Sequence, residues 1–401
     1  MRILKVAQAY YPFLDKGGPP VKVRAIARAL VRRGHQVTVL SADLGRGAAT
    51  VLSRIAVRSP WGWRAEQDGV EAVYLSSRAR YRTLTVNPGM SGFCRERLGD
   101  FDLVHVYGLY DLLGPAVASF CHRQGLPYVV EPMGMFRPIV RNLWLKRFYH
   151  ALFGEKMLHG AARLIATSLQ ERTELVEGGL SETRVIVRRN GIELPECLPP
   201  AGAFRLQWSI PPEAKLVLFL GRLVSKKSPE LMLEVFARWR REAGQRQAAL
   251  LVVAGPDEGD GYRQRLETLA ARLGLNGGVL FTGPLYDEAK WAAYRDADLF
   301  VLPSQNENFG NTAAEAVACG TPVLVTDRCG IAPLVKERAG LVVPHDRGAL
   351  QAGLARLLDD EGLRQRLRAG CEEVTRSLGW DEPLAVLEGL YAELAGEGRR
   401  E

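Results

Sequence analysis

The stretch from Val301 to Asp327 reads Val-Leu-Pro-Ser-Gln-Asn-Glu-Asn-Phe-Gly-Asn-Thr-Ala-Ala-Glu-Ala-Val-Ala-Cys-Gly-Thr-Pro-Val-Leu-Val-Thr-Asp. It fits a strand, a polar loop, a short helix and a second strand. The apolar run Leu299 to Leu302 stops at Pro303. Thr312 is placed to cap a helix that Gly320 ends, and Pro322 opens a second apolar run, Val323 to Val325. Such a unit belongs to a parallel sheet, in which loops at the carboxyl ends of strands bind ligands. Glu307 and Glu315 flank the loop and the helix start, where backbone N–H groups and the positive end of a helix dipole form a seat for a phosphate. Each piece also has a plainer reading. Thr312-Ala-Ala-Glu315 fits a capping box with a purely structural glutamate, and Glu307 alone would be a solvated loop residue. Only the rest of the chain gives the pair weight.

At 401 residues the chain exceeds what one core usually supports, so two domains are expected. Hydrophobic content of 47% and charged content of 24% are those of a soluble globular protein. There is no apolar run long enough for a transmembrane helix. The opening residues Met1-Arg-Ile-Leu-Lys-Val read as a first strand rather than a signal peptide, which implies a cytoplasmic protein. Cys94, Cys121, Cys197, Cys319, Cys329 and Cys371 show no C-x-x-C spacing and no cluster with the six histidines. Reduced, mostly buried thiols are therefore expected, and no metal. The net charge of +8 is unevenly spread. Residues 1–200 hold 28 Lys and Arg against 17 Asp and Glu, whereas residues 201–401 hold 25 against 28. The basic half is the better match for an anion or an anionic surface; a nucleic-acid partner is not expected.

Strand and helix signals alternate along both halves. Ile3 to Ala7 reads as a buried strand, followed by a loop containing Lys16, Gly17 and Gly18. A helix from Val23 to Arg33 closes at Gly34, and Gln36 to Ser41 is the next strand. This order indicates a doubly wound α/β domain. The first turn lacks G-x-G-x-x-G, which argues against a dinucleotide cofactor. Residues 50–97 carry no clear pattern. Asp102 to Val106, Pro127 to Val130, Arg163 to Thr167 and Val185 to Val187 resume as strands. Between Arg137 and His159, Trp144, Phe148, Tyr149 and Phe153 are interleaved with Arg141, Lys146, Arg147 and Lys156. That pattern suits a packed helix with a basic rim or one lying on an anionic membrane. Asn190-Gly191-Ile192-Glu193 runs into Pro195, Pro199 and Pro200, a linker before the strand Leu216 to Leu220. Leu250 to Ala254, Tyr262 to Leu273, Val279 to Thr282 and Ala289 to Arg295 continue the alternation.

Taken together these residues resemble a GT-B glycosyltransferase of family 4, whose members are retaining enzymes that use nucleotide-sugar donors. The resemblance spans nearly the whole chain and is strongest from Asn190 to Pro344. Its signature is two glutamates at the spacing of Glu307 and Glu315, followed by Ala318 to Val323. A second motif is Gly221-Arg222-Leu223 with Lys227, and Asn190-Gly191, Val253-Ala254-Gly255, Phe281-Thr282-Gly283 and Pro303-Ser304 stand in family order. The resemblance implies two Rossmann-like α/β domains facing across a cleft: 1–195 for the acceptor and 196–380 for the nucleotide sugar, with 381–401 packing back on the first. Arg222 and Lys227 would face the donor diphosphate, where negative charge grows as the leaving group departs. Backbone N–H groups from Phe309, Gly310, Asn311 and Thr312 would cradle the phosphates and sugar, and Asn308, where relatives carry glycine or proline, would help select the sugar. Glu315 would hold the ribose hydroxyls, and Glu307 would contact the transferred sugar. Gly17 and Gly18 would close over the diphosphate. No cofactor beyond the donor substrate is implied.

One position departs from the pattern. Where relatives carry a histidine after the strand ending at Val130, this chain has Glu131-Pro132-Met133-Gly134-Met135, so Met133 takes the histidine's place. Glu131 is the catalytic candidate there, with a structural role at the strand end as its plainer reading, and His105 is the nearest alternative, although a histidine at a strand end commonly serves packing. A front-face retaining reaction, in which the donor phosphate takes the acceptor proton, needs no strong enzymic base. The expected activity is transfer of a sugar from a UDP or GDP donor to a glycan or lipid-linked acceptor in cell-surface polysaccharide or glycolipid synthesis, at the inner face of the membrane. A nucleotide-sugar epimerase and a non-catalytic nucleotide-sugar-binding module are the competing readings.

Overall fold

The structure is a computed structural model. It describes all residues except 14–17, 45–46, 82–83, 138–142, 245–247, 258, 260 and 398–401. The chain forms two compact units, Met1–Arg189 with Trp380–Glu401, and Asn190–Gly379. The first junction therefore precedes the boundary expected after residue 195. Asn190 and Ile192 already bond within the second unit: Ile192 N donates to Leu378 O at 2.9 Å and Asn190 Nδ2 to Asn311 Oδ1 at 3.1 Å.

The first unit contains β1 (Arg2–Ala7), β2 (Gln36–Ala42), β3 (Val57–Ser59), β4 (Gly62–Gln67), β5 (Val70–Leu75), β6 (Ala79–Tyr81), β7 (Leu84–Val86), β8 (Leu103–Tyr107), β9 (Tyr128–Glu131), β10 (Arg163–Ala166) and β11 (Val185–Val187). Nine of them make one sheet in the order β11-β10-β9-β8-β1-β2-β5-β4-β3, and β6 and β7 pair separately. Side chains alternate across it: in β1, Ile3 and Ala7 enter one apolar cluster, while Leu4 and Val6 enter the other. The unpatterned residues 50–97 supply the antiparallel edge. β4 and β5 are joined by a two-residue turn at Asp68-Gly69, both with positive φ (55° and 74°), which is the tight-hairpin geometry that an Asp-Gly pair favours. The helix Asp381–Glu397 buries Leu384, Leu387, Leu390, Tyr391 and Leu394 in the cluster that holds Ile3.

The second unit contains β12 (Lys215–Leu220), β13 (Ala249–Ala254), β14 (Val279–Gly283), β15 (Leu299–Leu302), β16 (Val323–Thr326) and β17 (Gly340–Val343). All pair in parallel, in the order β14-β13-β12-β15-β16-β17. Counted within the unit this is 3-2-1-4-5-6. The order reverses direction between β12 and β15, so the loops after these two neighbours diverge and leave a crevice at their carboxyl ends. Burial on both faces explains the unbroken apolar strands: Leu216, Leu218 and Leu220 enter one cluster, Val217 and Phe219 the other.

Candidate active site

The second unit's site is built from the loops that follow β12 and β15. After β12, Gly221-Arg222-Leu223 leads into a 3-10 turn, Ser225–Lys227, and the helix Pro229–Ala243. After β15, the chain from Pro303 to Gly310 leads into the helix Asn311–Ala318. Gln305 N bonds Lys226 O at 2.9 Å and ties the two loops together. Across that tie Lys227 Nζ meets Glu307 Oε2 at 2.7 Å, with side chains 14% and 21% exposed. Burial pushes the Glu307 carboxyl up, but Lys227, with help from Lys226 and Arg222, outweighs it and holds the group below the usual range. Glu307 is also pinned through its backbone: its N donates to Arg328 O at 2.8 Å and its O accepts from Gly330 N at 3.0 Å. An ionised carboxylate and a cation thus sit, held from two sides, at the point where the strand order reverses.

The helix start beside them is arranged differently from the capping box the sequence suggests. Gly310, at φ 99°, is the N-cap, and Thr312 lies inside the first turn. Glu315 points away from the cap, to Lys290 Nζ and Tyr294 Oη, each at 2.9 Å. The first turn carries no acid, so nothing in this helix offsets the positive end of its dipole. Phe309 is anchored in the core at 2% exposure, fixing the backbone of the loop. Among the described residues, four buried side-chain atoms of this loop and its neighbours have no hydrogen-bond partner: Asn190 Oδ1, Ser304 Oγ, Asn308 Oδ1 and Thr312 Oγ1. Buried polar atoms are rarely left so, and their concentration here points to a polar ligand. At the ends of β12 and β13 the chains nearly touch. Gly255 has φ 149°, and a Cβ on it would lie 1.8 Å from Gly221 O.

In the first unit, Gly17 lies outside the described residues. Gly18 opens the helix Gly18–Arg32, exposed, with open space where a Cβ would sit. Glu131 requires a correction. It ends β9 with no exposed surface, and its two oxygens are held by Lys22 and Arg188, with His105 Nε2 at 3.5 Å. A carboxylate so enclosed cannot touch a substrate. Burial would raise its pKa, but Arg188 and Lys22 hold it well below the usual range. His105 is equally enclosed: burial pulls it down to about 3, and its Nδ1 bonds Tyr391 Oη at 2.6 Å. Lys5, facing the same group, bonds Tyr107 Oη at 2.7 Å. Glu131 and His105 therefore join the start of the first helix, β8, the end of β11 and the last helix. Met133, at φ 56°, and Gly134 form a tight turn after β9, held by Glu171, which accepts from Gly134 N and, at 2.7 Å, from Thr167 N.

Comparison with known proteins decides what this architecture is. Residues 202–373 match the family model "Glycosyl transferases group 1" and residues 17–191 match "Glycosyl transferase 4-like domain". A D-inositol 3-phosphate glycosyltransferase 2 of Catenulispora acidiphila is 36% identical, over 94% of this chain and 90% of its own. The D-inositol 3-phosphate glycosyltransferase of Thermomonospora curvata is 31% identical over the same shares. The chain belongs to the family 4 GT-B glycosyltransferases. Solved structures agree on the fold of this glycosyltransferase. Sucrose-phosphate synthase from Thermosynechococcus elongatus gives a TM-score of 0.73 at 22% identity over 99% of both chains. Anabaena HepE, in complex with UDP and glucose, gives 0.73 at 16% identity over 98% of this chain and all of its own.

The glycosyltransferase brings together Lys227, Glu307 and the Asn308–Thr312 loop in its second unit, with exposed Arg222 close enough to depress the Glu307 carboxyl. The sequence expectations did not include Lys290 and Tyr294. Their spacing of four on one helix face, behind the Glu315 helix, is the signal that finds them. Ser304 and Asn190 were noted only as motif positions, and their buried, unpartnered oxygens place them at the site.

Proposed function

We propose that this glycosyltransferase is a retaining enzyme that takes a sugar from a UDP or GDP donor and passes it to a hydroxyl of a glycan or lipid-linked acceptor. The observation carrying this reading is the Lys227–Glu307 pair beside an acid-free helix start ringed by unpartnered polar atoms. In this reading the diphosphate lies on the start of the Asn311–Ala318 helix, with Lys227 and Arg222 against its oxygens. Glu315 accepts from the ribose hydroxyls and Glu307 from a hydroxyl of the transferred sugar. The bond from the anomeric carbon to the β-phosphate oxygen breaks, and its electron pair stays with the phosphate. The acceptor oxygen forms the new bond on the same face, and its proton goes to the departing phosphate oxygen. Cations already in place stabilise the charge that grows there. No enzymic base is required, which accords with a neutral His105 and an enclosed Glu131.

A lipid-linked acceptor would place the protein peripherally at the inner face of the membrane. Among the described residues no helix is long and apolar enough to cross one. A second acceptor, D-inositol 3-phosphate, is favoured by the names of relatives sharing about a third of the sequence. An anionic acceptor, such as an inositol phosphate or a phosphate-linked lipid, would suit the basic first half of the chain. A thermal-shift panel of UDP and GDP sugars tests the donor half, since a ligand at about 100 times its Kd stabilises by roughly 2.7 kcal/mol. Turnover with lipid-linked glycan against D-inositol 3-phosphate separates the acceptors. No shift with any nucleotide sugar would sink the reading.

A further inference from the structure

We propose that the segment Leu143–Gly160 is a lipid-facing surface that seats the protein on an anionic membrane. The proposal rests on the lipid-linked acceptor reading and names the surface that would bring the enzyme to it. The helix Leu143–Tyr149 continues through a π turn, His150–Gly154, into the helix Glu155–Gly160. Inward, Tyr149, Gly154, Met157 and Leu158 are buried. Outward, Trp144, Phe148 and Leu152 follow one another at intervals of four residues, 73%, 58% and 51% exposed, and Phe153 is 40% exposed. The wider π turn lets neighbouring Leu152 and Phe153 emerge together. Single exposed apolar residues are ordinary, but here every exposed tryptophan or phenylalanine among the described residues falls on one short segment.

Charge decides what covers it. On the described part of the segment Arg147 and Lys156 are exposed beside one acid, Glu155, while Arg137, just before it, pairs with Glu177; by sequence alone Arg141 and Lys146 add to the basic character of the same stretch. Two copies of such a face would repel each other, whereas an anionic bilayer attracts the basic residues and takes up the aromatic side chains at its headgroup level. A cavity of about 320 Å³ opens on the same segment, with Arg147, His150 and His159 on its wall beside Phe136 and Glu155. His150 is steadied by Tyr110, Nε2 to Oη at 3.1 Å. The cavity offers a headgroup phosphate a polar seat next to the apolar stripe.

The test is sedimentation of the full chain with phosphatidylcholine vesicles, with and without one-third phosphatidylglycerol, at low salt. Wild type should bind the anionic vesicles, about tenfold more weakly when they are neutral or when salt is raised. Replacing Trp144, Phe148 and Leu152 together by serine should lower binding by about tenfold or more and leave the nucleotide-sugar thermal shift unchanged. Arg147→Glu with Lys156→Glu should abolish the preference for anionic vesicles. The proposal is overturned if wild type ignores anionic vesicles, if the serine variant binds as well as wild type, or if that variant turns an oligomer into a monomer in light scattering. Should vesicle binding hold while only soluble D-inositol 3-phosphate is glycosylated, the acceptor reading fails and the surface stands.

Discussion

Lys227 and Glu307 are the residues on which the donor chemistry turns, and their pairing makes separable predictions. Lys227→Ala removes a cation from the leaving group and from a carboxylate 2.7 Å away. We expect kcat/KM to fall by about 10²–10³, with a small change in melting temperature because the pair is partly exposed. Steady-state kinetics beside a melting curve checks both, and an unimpaired kcat/KM would remove Lys227 from the mechanism. His105 makes a prediction about pH. Burial holds its imidazole at about 3 against an ordinary value of 6.5. Below 6.5 the unfolded chain therefore binds a proton that the folded chain refuses, so stability from this group is complete above that pH and is lost as pH falls towards 3. Glu131, held below its usual range, adds a loss of the same sign at lower pH. The first unit should melt progressively earlier from about pH 7 to about pH 4, and His105→Gln should flatten the upper part of that slope. Calorimetry across this range decides it; an unchanged slope in the variant would refute the assignment.

At the scale of elements, the diverging loops after β12 and β15 depend on how closely the ends of β12 and β13 approach. Gly255→Ala sets a Cβ 1.8 Å from Gly221 O in a backbone region side chains rarely adopt. A loss of about 3 kcal/mol or more is expected, and denaturant melts of the purified variant measure it; wild-type stability would mean the loops can part freely. Much at this scale was legible in the sequence. The strand, loop, helix and strand around Glu307 could be read because buried parallel strands are unbroken apolar runs and Gly320 and Pro303 punctuate them. The capping box, one of two readings open in the sequence, does not form: Thr312-Ala-Ala-Glu315 satisfies that pattern locally, while the partners that claim Glu315, Lys290 and Tyr294, come from another helix. Residues 50–97 resisted because their strands are short and set charged residues, Arg58, Arg64, Glu66 and Glu71, among the apolar ones.

For the whole molecule, the second unit is inserted into the first, between Arg189 and Trp380. Leu384, Leu387, Leu390, Tyr391 and Leu394 complete the first unit's core, each burial contributing about 1.5–3 kcal/mol. Truncation after Gly379 should therefore destabilise the first unit and leave nucleotide-sugar binding by the second intact. Hydrogen exchange resolved by segment would follow both, and uniform protection in the truncated chain would contradict it. The amphipathic spacing of that helix could be read from the sequence, and its destination only through family resemblance. Sequence alone leaves Glu131 open between a catalytic and a strand-end role, because it does not say that Lys22, Arg188 and His105, far apart in the chain, enclose it.

The same insertion sets an order of events on the ribosome. When Arg189 has been made, the first unit still lacks the helix that covers Ile3, Val39 and Tyr107. At about 5–20 residues per second, the intervening 190–379 segment takes roughly 10–40 s to synthesise. The second unit has time to fold during that interval, while the first presents an open apolar face to chaperones and to neighbouring nascent chains until the residues after Gly379 emerge.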